Sequence, residues 1–408
     1  VDGANTVATG TVTGAATATG TAGAGAQVTG TANNVVTLTP GTAPNNTVSS
    51  SSANGNFIST SGSLQLEAAG VNFADVLARQ GLYPDAPPLP AVVGYEVAGR
   101  VDAVGPGVDG LAVGDDVLAL TRFGGYSSHV VAPAMAVTRR PAGMSAETGA
   151  ALPVTYLTAF QLMVVMGGVR PADELGRPMR VLVHSAAGGV GTACADLGRV
   201  YGAEMIGTAS PAKHAYARER CYAHVLDSRA GRFADEVRRL TGGEGVDLVL
   251  DAVGGRHWGE SLRALAPSGR LAVYGVASAS GGGRLGLARM AAGIPWLAVS
   301  PLALISRNHG VLGVNLGHLW SVPDRVAAWT RRLMALYEAG HLRPHVDRVV
   351  PFEHAADAHR ALEERQTVGK VLLRPSPAGQ NGERRRAAAH RLSNSGTRGR
   401  SALGGRLG

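Results

Sequence analysis

The chain has 408 residues, 45% of them hydrophobic, which is enough for two domains with their own cores. Its formal net charge of +8 is uneven: residues 378–408 hold seven Arg and one Glu, residues 1–63 hold only Asp2, and the stretch between them carries about +3. That middle stretch has no basic stripe with interleaved aromatics, which excludes a nucleic-acid surface there. Its two cysteines, Cys194 and Cys221, fall on predicted helices and are too few for a disulfide framework or a thiolate metal centre.

Residues 1–63 are Thr, Gly, Ala, Ser and Asn with scattered Val, and Phe57 is the sole aromatic. Such a segment buries too little apolar surface to offset its ordering entropy, so it reads as disordered or weakly β, with a repetitive β-solenoid as the alternative. At Leu64 the texture changes. LQLEAAGVN alternates like a strand entering a turn, FADVLARQGLYP reads as a short helix, and VVGYEVAGRVDAVG, VGDDVLAL and YSSHVVAP read as short strands of a small barrel. Residues 145–165 are helical by pattern, with Pro153 at a start or kink.

Strands then alternate with helices: strand 179–185, helix 189–202, strand 204–210, a helix from Pro211, strand HVLDS, helix 232–241, strand 246–255, helix 257–265 and strand 269–277. VLGVNLG, residues 311–317, is the expected sixth strand, followed by a helix at 323–339 and a strand-plus-helix return that GKVLLRP closes. This alternation implies a doubly wound parallel sheet. Met290–Ile305 is apolar but short and carries two prolines, so it reads as buried or interfacial rather than as a membrane span. Residues 378–408 read as a basic disordered tail.

The pivot is VLVHSAAGGVG, residues 181–191. An apolar strand breaks into a glycine turn and then a helix, which is the context a dinucleotide fingerprint requires. Ala186 takes the first glycine position, Gly188 lets backbone approach a pyrophosphate, and Gly191 lets helix pack on strand. The free N–H groups of the helix N-terminus favour an anion.

GVNFADVLARQGLYP, GYEVAG, AAGGVG, GTASPAKH, DAVGG and VGKVLL, in that order, resemble the medium-chain dehydrogenase/reductase superfamily and, within it, the zinc-independent quinone oxidoreductases. LPVTYLTAF and HLRPHVDRVVPFE resemble the branch named for a synaptic vesicle membrane protein. The resemblance covers about 64–375 and implies a Rossmann domain plus a GroES-like β-barrel domain. The expected boundaries are 64–155 and 343–377 for the GroES-like domain and 156–342 for the Rossmann domain. About thirty residues of β-structure that the family places before LQLEAAG are replaced here by low-complexity sequence, so unpaired sheet edges are expected.

Where zinc relatives carry a cysteine and a histidine, this chain has Asn72 and Tyr95, so no metal is expected. The resemblance implies that Asn72 bonds the nicotinamide ribose or carboxamide, that Tyr83 donates a proton or hydrogen bond to a substrate oxygen, and that Thr158 holds the cofactor. Each also has an ordinary reading, as a turn Asn, a packed loop Tyr and a helix-buried Thr. Ala187, Gly188, Gly189, Val190, Gly191, Thr208, Ser210, Tyr274 and Gly275 complete the expected cofactor site. No acid follows the second strand to accept from the ribose hydroxyls, and Lys213 suits a 2′-phosphate instead, which selects NADPH. Lys213 and Lys370 are the chain's only lysines, against 36 arginines. His184 reads as a core histidine, and Asp251 as a loop cap or a functional group.

The expected function is NADPH-dependent reduction of quinones or α,β-unsaturated carbonyls by a cytoplasmic homodimer that pairs through VLGVNLG, where a proline at Val314 should split it. The alternatives are an enoyl-thioester reductase and a cofactor-binding protein without turnover, serving regulation or membrane association.

Overall fold

The structure is a computed structural model. It describes residues 61–375 except 89, 173–175 and 281–282, together with the backbone of five short strands between residues 8 and 51. Those short strands pair in parallel, Ala8 beside Val28 and Val28 beside Val48. The rest of the low-complexity segment and the basic tail lie outside the described residues.

The first sheet starts with β1 (Ser61–Val71), where Leu64, Leu66 and Ala68 turn inward and Gln65 outward, the period-2 pattern of a half-buried strand. α1 (Phe73–Arg79) follows, then β2 (Glu96–Val104), β3 (Asp116–Leu120), β4 (His129–Pro133) and β5 (Val137–Arg139). The helical stretch splits as Pro153 suggests. α2 (Ala146–Ala151) is capped by Ser145, whose Oγ accepts from Thr148 N at 3.1 Å. α3 (Pro153–Phe160) takes Pro153 in its first turn, where no N–H is needed.

The second sheet contains β6 (Arg180–His184), β7 (Glu204–Ala209), β8 (His224–Asp227), β9 (Val246–Asp251), β10 (Leu265–Val273) and β11 (Gly310–Gly313). They lie in the order β8-β7-β6-β9-β10-β11, all parallel. Val181, Leu182 and Val183 of central β6 are fully buried, each contributing about 1.5–3 kcal/mol on leaving water. The helices between and after its strands are α4 (Gly189–Val200), α5 (His214–Glu219), α6 (Phe233–Leu240), α7 (His257–Ala264), α8 (Gly283–Ala292), α9 (Pro301–Arg307) and α10 (Pro323–Glu338). The chain then returns through β12 (Val346–Pro351), α11 (Ala355–Glu363) and β13 (Lys370–Arg374). β13 runs antiparallel to β1, giving the first sheet the order β5-β3-β2-β1-β13-β12 with β4 also on β1.

Four expectations need correction. β10 begins at Leu265 and ends at Val273, so Tyr274 and Gly275 stand in the loop beyond the strand. β11 stops at Gly313. Val314 lies just past it, and its N–H already donates to Val273 O at 2.9 Å, so proline there would damage this chain's own sheet. Of the two readings of the 290–305 stretch, buried or interfacial, burial within this chain is ruled out: Trp296, Leu297, Leu302 and Ile305 are among the most exposed apolar side chains described. Cys221 sits in a left-handed turn past α5, not on the helix.

Candidate functional site

In β8-β7-β6-β9 the strand order reverses between β6 and β9, and ligands of such sheets bind beyond the C-terminal strand ends at that point. A cleft of about 1010 Å³ opens there. Its other wall comes from the first sheet and its loops: Val71 at the end of β1, Asn72 after it, Tyr83 after α1, Tyr95 before β2 and Leu120 of β3. The cleft brings together Asn72, Tyr83, Thr158, Ala187, Gly188, Gly189, Val190, Gly191, Thr208, Ser210, Lys213, Tyr274 and Gly275.

The turn after β6 is tightly built. Ser185 adopts φ +58, and Ala186 N is tied to Thr208 O at 3.0 Å. A Cβ on Gly191 would stand 2.4 Å from Ala186 O, so only glycine lets α4 start this close to the strand. Gly188 is the extended N-cap, and the first N–H groups of α4 have no intrahelical acceptor. The residues therefore fit a bound pyrophosphate.

At the end of β7 the chain carries Ala209 and then Ser210, with no carboxylate. Lys213 Nζ donates to the carbonyls of Arg365 and Thr367, each at 2.6 Å. It thereby clips the α11–β13 connection to the second sheet and keeps one of its three donors. Burial lowers its pKa from the ordinary lysine value. Arg365 lines the cleft too, a cation that sequence reasoning missed among so many arginines.

Opposite lies a buried polar group that was also missed, apart from Asn72. Asn72 Nδ2 donates to Glu96 Oε1 at 3.0 Å, and Asn72 Oδ1 accepts from Lys370 Nζ at 2.5 Å. Lys370 pairs with Glu96, their side chains 4% and 0% exposed. Glu96 Oε2 accepts from Val154 N in the first turn of α3 at 2.7 Å, where the helix dipole favours an anion. Below them Asp75 accepts from Asn72 N and Gly94 N at 2.7 and 2.8 Å, while burial pushes its carboxyl up to about 7. The signal in the sequence was the rarity of lysine: both lysines line the cleft.

Tyr83 Oη makes a long contact of 3.4 Å to Asn315 Oδ1, and burial raises its pKa from the ordinary phenol value. His184 is a satisfied core residue: Nδ1 meets Thr208 Oγ1 at 3.0 Å and Nε2 meets Ser261 Oγ at 3.2 Å. Burial drops its pKa to about 3. Asp251 caps the loop after β9, accepting from Val253 N and Gly254 N, and also accepts from Ser261 Oγ and bonds His257 Nδ1. Burial works to raise Asp251, but these bonds and the two histidines hold it well below the usual carboxylate range. Among the described residues, His184, Asp251 and His257 are the one group within metal-binding distance of each other. Their atoms are already engaged with one another and with Ser261 and Thr208.

Residues 62–144 match the family profile "Alcohol dehydrogenase GroES-like domain", and 222–373 match "Zinc-binding dehydrogenase". The human synaptic vesicle membrane protein VAT-1 homolog is 40% identical over 322 residues, covering 78% of this chain and 80% of that protein. A mycobacterial protein solved as a complex with NADPH superposes with a TM-score of 0.68 at 32% identity, covering 77% of this chain and 92% of its own. A Pseudomonas syringae quinone oxidoreductase superposes at 0.67 with 30% identity, covering 77% and 91%. No described helix is long and apolar enough to cross a membrane. Fold, cleft and sequence likeness agree: the chain belongs to the medium-chain dehydrogenase/reductase superfamily and is an oxidoreductase of that family.

Proposed function

We propose that this chain is an NADPH-dependent, zinc-independent reductase of quinones or other α,β-unsaturated carbonyls, working in the cytoplasm. The observation that carries this is the one cleft lined by the acid-free end of β7, Lys213 and the 188–191 turn together with Tyr83 and Asn72. The nicotinamide, when bound, supplies the hydride. The backbone of Gly188–Gly191 receives the pyrophosphate, and Ser210 with Lys213 receives the 2′-phosphate. Thr158, Thr208, Tyr274 and Gly275 wall the cofactor. Asn72, held by Glu96 and Lys370, positions the nicotinamide end. Tyr83, its pKa raised by burial, stays protonated and donates toward the substrate oxygen. The donor set does not fit a catalytic zinc: Asn72 is engaged by Glu96 and Lys370, and Tyr95 is a phenol that burial keeps protonated.

Steady-state NADPH oxidation with a panel of quinones and enals tests this. Turnover that survives a chelator is expected. NADPH binding without turnover would support the non-catalytic alternative, and turnover confined to acyl thioesters would support the enoyl reductase.

We also propose a homodimer through β11, the open edge of the second sheet among the described residues, with the exposed Trp296, Leu297, Leu302 and Ile305 helping to form the contact. Val314 N–H points into its own sheet, so alternation along the strand turns Val311 N–H outward to the edge. Val311→Pro is expected to halve the wild-type mass in light scattering while NADPH binding persists. A wild-type protein that scatters as a monomer would contradict the dimer.

A further inference from the structure

His257 opens α7 and lines the cleft together with Ala252, Val253 and Trp258. Its ring stands edge-on to His184, centroids 4.2 Å apart, and tilts against Phe233 at 4.7 Å. Nδ1 meets Asp251 Oδ2 at 2.9 Å, and that carboxylate is fully buried. Asp251 is held well below the usual carboxylate range and keeps its charge, so Nδ1 carries the proton and donates. Nε2, on the other side of the ring, is then a lone-pair acceptor. It has no hydrogen-bond partner among the described residues and is not enclosed by them, and the side chain is 22% exposed. One edge of the ring is thus tied into the fold, and the edge carrying Nε2 is open. The carboxylate does not need the imidazole, because Val253 N, Gly254 N and Ser261 Oγ already donate to it. What histidine adds at this position is an oriented acceptor on the cleft.

We propose that His257 reads the base of the dinucleotide, its Nε2 accepting a hydrogen bond from the exocyclic amine of adenine, with Asp251 as the positioning residue behind it. The assignment rests on the proposed NADPH site and names the group in it that selects the base. His184, packed on His257, bonds Thr208 near the end of β7, the end assigned to the ribose 2′-phosphate. The pyrophosphate is assigned to the 188–191 turn and the nicotinamide to Asn72 and Tyr83, so the base is the part of the cofactor left for this ring. Ala252, Val253 and Trp258 give it apolar surroundings that suit a flat heterocycle. Hypoxanthine carries a carbonyl oxygen where adenine carries the amine, and would set acceptor against acceptor at Nε2. A site built around one hydrogen bond rejects the analogue that cannot make it.

The test titrates NADPH and its reduced hypoxanthine analogue, by their fluorescence, into wild type, His257→Leu and His257→Gln at about pH 8, above the ordinary imidazole range. Wild type is expected to bind NADPH about tenfold tighter than the analogue. His257→Leu is expected to bring the two within about twofold, the loss falling on NADPH. His257→Gln, whose amide can turn either its oxygen or its nitrogen to the base, is expected to bind both about equally. A merely structural histidine would weaken both dinucleotides by the same factor, and variants that keep the wild-type ratio would overturn the assignment. Wild type that binds the two equally would overturn it without any variant, so a variant that fails to fold does not shield it. If wild type binds neither dinucleotide, the NADPH-site reading fails. If wild type binds NADPH but does not discriminate the base, only this assignment fails.

Discussion

Lys370→Met is expected to destabilise the folded chain by about 3–5 kcal/mol, because it strands the Glu96 carboxylate in a buried site. The glutamate side chain is fully buried, and Lys370 is its only cationic partner among the described residues. Its remaining bonds, from Asn72 Nδ2 and Val154 N, do not neutralise it. Adding Glu96→Gln removes the orphaned charge, so the double variant should be more stable to urea than Lys370→Met alone. A double variant no more stable than the single one would show that the pair contributes through packing and not through charge. The pair also carries the site. Lys370 lies on β13 and Asn72 on the turn after β1, so the same contact joins the returning strand to the residue assigned to the nicotinamide.

Lys213→Ala is expected to remove most of the preference for NADPH over NADH. One charge-assisted bond is worth about 1.5–3 kcal/mol, or about tenfold and upward in affinity. Lys213 also holds the carbonyls of Arg365 and Thr367, so the NADH arm of the titration matters. A selective loss of NADPH affinity marks a phosphate contact. An equal loss of both cofactors would mean that Lys213 acts only by clipping the α11–β13 connection in place.

Much of this was legible because the governing signals are local. The apolar run 181–183 followed by a glycine turn announces a buried parallel strand and a helix start, and the structure builds both. Pro153 announces the break between α2 and α3. What was illegible depends on tertiary partners. Nothing near Glu96 in sequence predicts Lys370, 274 residues away in the chain. The end of the fifth Rossmann strand was misplaced because YGVA after Val273 is apolar enough to pass for strand, although the chain there turns off to line the cleft. The 290–305 stretch was read by hydropathy as buried or interfacial, and hydropathy cannot tell a core from a surface awaiting a partner. Arg365 was hidden by the abundance of arginine, whereas the scarcity of lysine singled out Lys213 and Lys370.

The central claim is that the cleft is an NADPH site, and the most direct measurement is a side-by-side fluorescence titration of the wild-type chain with NADPH and NADH. The acid-free end of β7 and the cations Lys213 and Arg365 predict that NADPH binds about tenfold tighter or more. Equal affinities, or tighter binding of NADH, would contradict it.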